Sequence, residues 1–420
     1  MRLLTTLRIS PAAWFAVPMA IATVLYSAAY QPATSDGYSV ALTAAGTVTM
    51  SFIAPFVAVS SAWEASRLRR AGWWGAPHVR SHLTIALWSI APAVAAGSLA
   101  LVLSVAAQFR GFDAVVPDLR LVATDLVVIV AHAVAGFALG LRLPIVVAGP
   151  IAVIGSYAWM AVPRALEPLW IRHLTGSFEA CCLLQEELAP HALAGALLVA
   201  SGLMAAALIV IARGWLRGPI AAAIGSVAIG FGSGALIVSG LGASPAVPRD
   251  TADLVCRSRA STELCVWREH ADRLNETMQL LSTARSRWQA EGIEVPTVFT
   301  EESERDGAAS FGFSLAATRD DLLHGLAYAV AAPWPPCAES EPYPGGMAVE
   351  IVHAWLDYVG GMSVEDIAMR LPAETGPGNP TPAEAVHSLS ALSLDERSAW
   401  LSANLAAIRQ CGILPRPIPS

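Results

Sequence analysis

The chain has 420 residues, of which 55% are hydrophobic and only 14% charged, whereas a soluble globular protein carries about 25% charged residues. This shortage of charge argues against a wholly soluble protein. Long apolar runs fill the chain up to residue 241, and ordinary charge follows. We therefore expect a transmembrane domain at 1–241 and a separate, exported domain at 242–420.

The two parts differ in charge. Residues 1–241 hold 13 Arg against 9 Asp and Glu, whereas residues 242–420 hold 13 Arg against 24 Asp and Glu, which gives the net charge of −7. Nucleic-acid binding needs a basic surface. The acidic second part therefore gives no support to a nucleic-acid partner.

Seven apolar stretches approach the roughly 20 residues that a membrane-spanning helix needs. They are 11–30, 39–60, 83–106, 123–141, 143–163, 190–212 and 219–241. The runs are continuous rather than alternating, which indicates helices and not barrel strands. The fold class is thus an α-helical polytopic membrane protein in contact with the lipid bilayer, and we expect the first span to be retained rather than cleaved as a signal peptide.

Arginine in short loops predicts the orientation, because cytoplasmic loops are enriched in it. With the N-terminus inside, nine arginines face the cytoplasm and four face outward. The inner nine are Arg2, Arg8, Arg67, Arg69, Arg70, Arg80, Arg142, Arg213 and Arg217. Seven spans then put the C-terminal domain outside. We expect the short amphipathic piece from Trp63 to Arg70 to lie in the cytoplasmic loop, as a topology anchor or as a docking site.

Inside the bundle, the ionisable residue nearest the middle of a span is His132. It is a functional candidate, although a neutral histidine bonded to a neighbouring helix is the simpler interpretation. Asp125 precedes it by two turns, and we expect it to reach the interface. Gly136 and Gly140 form a GxxxG pattern, which is typical of close helix packing, and Pro144 predicts a tight hairpin between the fourth and fifth spans.

The exported domain is predicted to be mainly helical with at most a small sheet. Apolar residues at three- and four-residue steps predict an amphipathic helix over 266–290, and 296–300 and 309–315 are candidate strands. Four Ser or Thr residues have an acid three positions later, which predicts helix starts. These pairs are Thr318 with Asp321, Ser363 with Asp366, Thr381 with Glu384 and Ser393 with Glu396.

No motif in the chain predicts an enzyme: HExxH, GxSxG, SxxK and the Walker A pattern are all absent, and no cofactor is expected. A metal site is the alternative to the interpretation that its candidate ligands lie on the solvated faces of separate helices. Its ligands would come from His270, Asp320, His324, Glu350 and His353.

All six cysteines fall outside the cell under the predicted topology, and extracytoplasmic cysteines commonly pair. We favour disulfides over a zinc site, since eight residues separate Cys256 from Cys265. We expect Cys256–Cys265, with RSRASTEL as a hairpin loop, and Cys337–Cys411. The adjacent Cys181 and Cys182 are left unassigned.

The membrane part resembles bacterial ABC-2-type transporter permeases in its layout. The resemblance rests on the charged loop WEASRLRRAGWW, the hairpin AHAVAGFALGLRLPIVVAGP and the sizeable loop 164–189, and covers roughly 1–215. VCRSRASTELCVWREH and WLSANLAAIRQC resemble the tails of actinobacterial permease-like proteins of unassigned substrate. An exported C-terminal domain and a seventh span depart from the permease pattern.

This resemblance implies a subunit in the bacterial plasma membrane that exports a substrate, pairs as a homodimer or heterodimer, and takes its energy from a separate ATPase. The residues contacting the ATPase would be Glu64, Arg67, Arg69 and Arg70. The rival hypothesis is a membrane-anchored extracytoplasmic binding or sensing protein without transport activity.

Overall fold

The structure is a computed structural model that describes residues 10–30, 36–75, 80–111, 115–179, 181–213, 217–303, 305–331, 343, 345–371 and 380–419. The chain divides into two compact units, Met1–Arg249 and Asp250–Ser420. Each unit is described by itself below.

The first unit is built from apolar helices. In chain order these are α1 (Pro11–Ala29), α2 (Ser39–Gly46), α3 (Met50–Arg70), α4 (His82–Gln108), α5 (Leu119–Arg142), α6 (Ile145–Ala161), α7 (Pro190–Arg213) and α8 (Arg217–Val238). A single turn of 3₁₀ helix joins α2 to α3, so together they form one helical path. Counted this way, seven described helices are long and apolar enough to cross a membrane, as the sequence predicts.

The path formed by α2 and α3 is the most deeply buried of the seven spans. Residues 63–70, expected to lie in the loop after a span ending at residue 60, are instead helical. The helix continues without interruption to Arg70, since no Gly or Pro interrupts residues 56–70 and Glu64 pairs with Arg67 one turn later at 2.6 Å.

Close packing of α5 against α3 depends on the GxxxG pattern. Gly136 lies directly on the backbone of Ala58, and Gly140 lies in the same way on Ala62. Ser66 Oγ donates a hydrogen bond to the Gly140 carbonyl oxygen at 3.0 Å. These contacts agree with the interpretation of the glycines as packing positions.

The predicted hairpin between the fourth and fifth spans is present. Helix α5 ends at Arg142 and α6 begins at Ile145, with Pro144 as its N-cap. The Arg142 side chain turns back and donates to the Val210 carbonyl oxygen of α7 at 2.6 Å. The hairpin thereby ties the ends of three helices together.

Residues 242–249, expected to belong to the second domain, are instead part of the first unit. A two-stranded antiparallel sheet pairs β1 (Glu186–Leu188) with β2 (Ala246–Pro248). Val247 packs with the apolar cluster beneath this sheet. The boundary between the units therefore falls between Arg249 and Asp250 rather than at residue 242, because β2 pairs with β1 of the loop that precedes α7.

The second unit contains a four-stranded sheet in the order β3-β4-β5-β6, with β3 and β4 antiparallel and the other two pairs parallel. Its strands are β3 (Leu254–Arg259), β4 (Thr262–Trp267), β5 (Val298–Thr300) and β6 (Ala309–Ser310). The last two lie within the predicted strand segments. The expectation of an eight-residue loop between Cys256 and Cys265 is wrong, since those residues pair up to a two-residue turn at 260–261.

The rest of the second unit is helical, as predicted. Its helices are α9 (Leu274–Ala290), α10 (Arg319–Ala331), α11 (Gly346–Gly360), α12 (Val364–Arg370), α13 (Pro382–Ser390) and α14 (Leu394–Arg409). Helix α9 begins eight residues later than the expected start at 266, because Trp267 completes β4 and a 3₁₀ turn follows. Three buried tryptophans, Trp288, Trp355 and Trp400, lie in the single apolar core.

The four predicted helix starts are confirmed. Thr381 and Ser393 form complete capping boxes with Glu384 and Glu396. The backbone N–H groups of Asp321 and Asp366 likewise donate to the hydroxyls of Thr318 and Ser363. Each box satisfies N–H groups that the first helical turn leaves without a partner.

Candidate functional sites

The arginine-bearing end of α3 holds the four residues expected to contact an ATPase. Glu64 is only 8% exposed and binds the Arg67 guanidinium at 2.6 Å. Arg69 is partly exposed and Arg70 is exposed. Helical geometry therefore divides the predicted set: Glu64 faces the bundle and holds Arg67, whereas Arg69 and Arg70 are available to a partner.

His132 lies in the middle of α5, where its Nδ1 is 2.9 Å from Ser156 Oγ on α6. This is the helix-to-helix bond of the simpler interpretation. Beside it is a cavity of about 10 Å³, lined in part by Val128, Trp159 and Thr175. That volume is about enough for one water molecule, so a solute could not occupy it.

Asp125 does not reach an interface, and the expectation that it would is wrong. Its side chain is wholly buried, and neither carboxylate oxygen has a hydrogen-bond partner among the described residues. A signal for this burial is present in the sequence. Asp125 and His132 are seven residues apart, two helical turns, and so lie on one face of α5.

A partly buried ion pair lies in the loop that runs from 162 to 188 between α6 and α7. Arg164 binds Glu179 at 2.6 Å and donates to Ser177 Oγ at 2.8 Å and to Ser51 Oγ of α3 at 3.0 Å. Gly176 of the same loop lies against Val128, one turn from Asp125. We call this loop the covering loop, because Phe178 within it is buried against the bundle.

The five candidate metal ligands in the second unit do not assemble. His270 is wholly buried with its Nδ1 2.7 Å from Glu301 Oε1, while Glu350 is exposed. Among the described residues, no three of the five bring ligand atoms within 4.8 Å of one another. The one such group in the described chain is Cys256, Glu263 and Cys265, whose thiols are joined to each other.

Two of the five, His324 of α10 and His353 of α11, do meet, and the sequence interpretation missed their third member. His324 Nδ1 lies 2.6 Å from Oδ2 of Asp357, a wholly buried acid one turn after His353. The two imidazole rings are edge to face, with centroids 6.1 Å apart. The spacing of His353 and Asp357 on one helical face is the signal by which the acid could be found.

Burial controls the charge of this cluster. It raises the pKa of the Asp357 carboxyl above its ordinary value, against the lowering effect of the His324 hydrogen bond and charge. Burial, and secondarily the charge of His324, lowers the pKa of His353 to about 4. His353 is therefore neutral at physiological pH, while the half-buried His324 is held by the acid.

The stability of the second unit is expected to fall in acid because of His353. Its pKa is about 6.5 in an unfolded chain and about 4 in the fold. The unfolded state thus binds more protons between these values. The stabilisation is complete above about pH 6.5 and is lost as the pH falls towards 4, on the order of 3 kcal/mol.

Free energies of unfolding measured against pH for the wild type and His353→Asn test this prediction. The raised pKa of Asp357 acts in the opposite sense but is present in both proteins. The wild type should lose stability relative to the variant as the pH falls through this window. Parallel curves for the two proteins would contradict the expectation.

Two disulfides, Cys181–Cys182 and Cys256–Cys265, join cysteines that both lie among the described residues. Cys256 and Cys265 face each other across the β3–β4 pair with their Cα atoms 4.0 Å apart, and they form one of the two expected disulfides. Cys181 and Cys182, in the covering loop, are bonded to each other. The other expected pairing, Cys337–Cys411, involves Cys337, which lies outside the described residues.

Comparison with known proteins gives one result for this chain. Residues 264–411 match the family described as Domain of unknown function (DUF7224). The match lies within the second unit and begins inside β4. No curated protein and no solved structure matches the chain.

Proposed function

We propose that the chain is a permease-like membrane subunit of an ABC-type exporter, driven by a separate ATPase, with a second unit that binds or gates the exported molecule. One observation carries this proposal. The buried helical path from Ser39 to Arg70 connects two regions of the first unit. Its Ser51 accepts a hydrogen bond from Arg164 of the covering loop, and its far end carries Arg67, Arg69 and Arg70.

Such a helix is suited to transmit a displacement. It packs against α1, α4, α5 and α6, so a push on its arginine end moves the centre of the bundle. Well-packed interiors are nearly incompressible and transmit strain rather than absorb it. Its other end reaches the covering loop through Ser51, which accepts a hydrogen bond from Arg164.

The proposal includes an orientation and an assembly. Arg67, Arg69 and Arg70 would lie in the cytoplasm by the positive-inside rule, and the Asp250–Ser420 unit would lie outside the bacterial plasma membrane. Helices α6 and α8 are mostly exposed in the single chain. Lipid or a second copy must cover them, which suits a homodimer or heterodimer.

Replacing Arg69 and Arg70 together with Gln is expected to reduce co-purification of the ATPase subunit at least tenfold, which corresponds to about 1.4 kcal/mol of binding. The double variant leaves Arg67 in its bond with Glu64. Arg80→Gln, which changes an exposed arginine before α4, is the matched control. The measurement is the ATPase recovered with each variant from native membranes.

A reporter that is active only outside the cytoplasm, fused after Ser420, verifies that each variant keeps its topology. If the double variant inserts normally and still brings down the ATPase and exports normally, this end of α3 is an anchor alone. Reporter activity only in the cytoplasm would overturn the proposed orientation itself.

A membrane-anchored binding or sensing protein is the second candidate function. It is favoured by the separate core of the second unit, by the family match confined to that unit, and by the water-sized cavity beside His132. Under this hypothesis no ATPase accompanies the wild-type protein from its native membrane, and a ligand binds to the second unit.

A further inference from the structure

The buried acids of the structure are not all alike. The described residues include four, Glu64, Asp125, Glu301 and Asp357. Three of them hold a basic side chain: Glu64 holds Arg67 at 2.6 Å, Glu301 holds His270 at 2.7 Å and Asp357 holds His324 at 2.6 Å. Asp125 holds none, and neither of its oxygens has a hydrogen-bond partner within the described chain.

Arg164 does not bond to Asp125. Arg164 directs Nη1 to Glu179 Oε1 at 2.6 Å and Nη2 to the hydroxyls of Ser51 and Ser177. The other oxygen of Glu179 accepts from Ser177 Oγ at 2.6 Å. Arg164 and Glu179 are therefore paired with each other rather than with Asp125.

The ionisable groups that bear on Asp125 lie in the covering loop and on α5. Glu179 and Arg164 cancel, Arg172 donates to the Arg164 carbonyl oxygen at 2.9 Å, and His173 Nε2 lies 2.9 Å from the Gly242 carbonyl oxygen. His132, two turns along α5, lies 2.9 Å from Ser156 Oγ. None of these groups is bonded to Asp125, so its buried carboxylate has no direct partner among the described residues.

An isolated carboxylate is not stable in such surroundings, because its lost hydration must be replaced by a counter-charge. We propose that Asp125 is a binding site for one monovalent cation, a proton or an alkali ion, enclosed between α3, α5 and the covering loop. The bound cation supplies the direct partner that the Asp125 carboxylate lacks among the described residues.

The site also has a reason to respond to its occupant. Backbone groups of the covering loop join the same region: Phe178 N–H donates to Thr47 Oγ1 at 2.9 Å, and Gly176, with φ +85°, lies against Val128 one turn from Asp125. Without its cation, the Asp125 carboxylate stays buried without a partner, a cost that detachment of the loop would relieve by admitting water. Cation binding and loop closure are therefore coupled.

The test uses the full-length protein in detergent or nanodiscs, with thermal unfolding as the readout. In one arm the pH is fixed and sodium or potassium replaces N-methylglucamine at constant ionic strength. In the other arm no alkali ion is present and the pH is lowered. The variants are Asp125→Asn, which removes the charge with little change of shape, and Glu187→Gln, an acid-to-amide control whose partly exposed side chain pairs with Arg120.

The wild type and Glu187→Gln should gain at least about 2 °C in Tm in the arm that supplies the true ligand. Asp125→Asn should not show this gain. Subtracting the Tm of Asp125→Asn at each pH from that of the wild type removes the pH dependence that comes from the second unit. A gain with alkali ion at fixed pH identifies the ion, and a gain with acid alone identifies the proton.

The same response in Asp125→Asn as in the wild type would overturn the site. If the variant cannot be recovered folded, the wild type decides alone, through the protons released when alkali ion is added and the carboxylic-acid infrared band of the ion-free protein. The site would also be overturned if alkali ion released no protons, the carboxylic-acid band were absent and the Tm stayed unchanged in both arms. The result is independent of whether an ATPase binds.

Discussion

Gly140→Leu is expected to prevent recovery of a folded first unit. A Cβ at this position would lie 2.7 Å from the carbonyl carbon of Ala62 and 2.8 Å from its Cα, and closer still to the carbonyl oxygen. The obstacle is backbone, which cannot move aside as the end of a side chain can. Overpacking a core usually costs about 1–3 kcal/mol, and separating α3 from α5 along its length should cost more.

Fluorescence-detected size-exclusion chromatography of the detergent-solubilised protein measures this outcome as the loss of the monodisperse peak. The matched control is Gly155→Leu on α6, where an added Cβ meets nothing within 4 Å. It should behave as the wild type. A monodisperse Gly140→Leu protein with an unchanged Tm would contradict the packing of α3 on α5.

Glu301→Ala is expected to destabilise the second unit by about 1–3 kcal/mol, the usual cost of leaving a buried hydrogen-bond donor without its partner. Its carboxylate accepts a hydrogen bond from the Trp267 backbone N–H at 2.8 Å and lies 2.7 Å from His270 Nδ1. It thus joins the end of β4 to the turn before α9 and to the end of β5. Its loss removes both contacts at once.

The change can be followed as the free energy of unfolding of the second unit, by urea-dependent proteolysis of the full-length protein. Glu294→Ala is the control, since Glu294 is an exposed acid and such changes usually stay within about 0.5 kcal/mol. A loss below about 1 kcal/mol for Glu301→Ala would show that the carboxylate is dispensable.

The seven spans could be predicted because hydropathy and length suffice to find them. The limits of that method appear at α3 and at Asp125. Residues 61–70 are too polar to count as a span, yet the helix continues through them because backbone bonding does not depend on hydropathy. Asp125 was assigned to an interface from its distance along α5, whereas its burial depends on which neighbours face it.

In the second unit, too, local features could be predicted whereas contacts between distant residues could not. Its helix starts at Thr381 and Ser393 follow from local bonds three residues apart and were predictable. The pairing of 254–259 with 262–267 was missed, since β3 is exposed along most of its length and lacks the alternation that predicts a strand. The contact of His324 with Asp357 joins residues 33 positions apart, which only the folded chain can bring together.

The sheet edges decide where this protein can be divided. A fragment cut at the family boundary would begin at Leu264, and it would lack β3 and the Cys256 half of a disulfide, leaving Cys265 as an unpaired thiol on a newly opened edge. A membrane fragment ended at residue 241 would lose β2 in the same way. The unit recognised by sequence similarity is therefore smaller than the folded unit: a division of the chain that preserves both halves falls between Arg249 and Asp250.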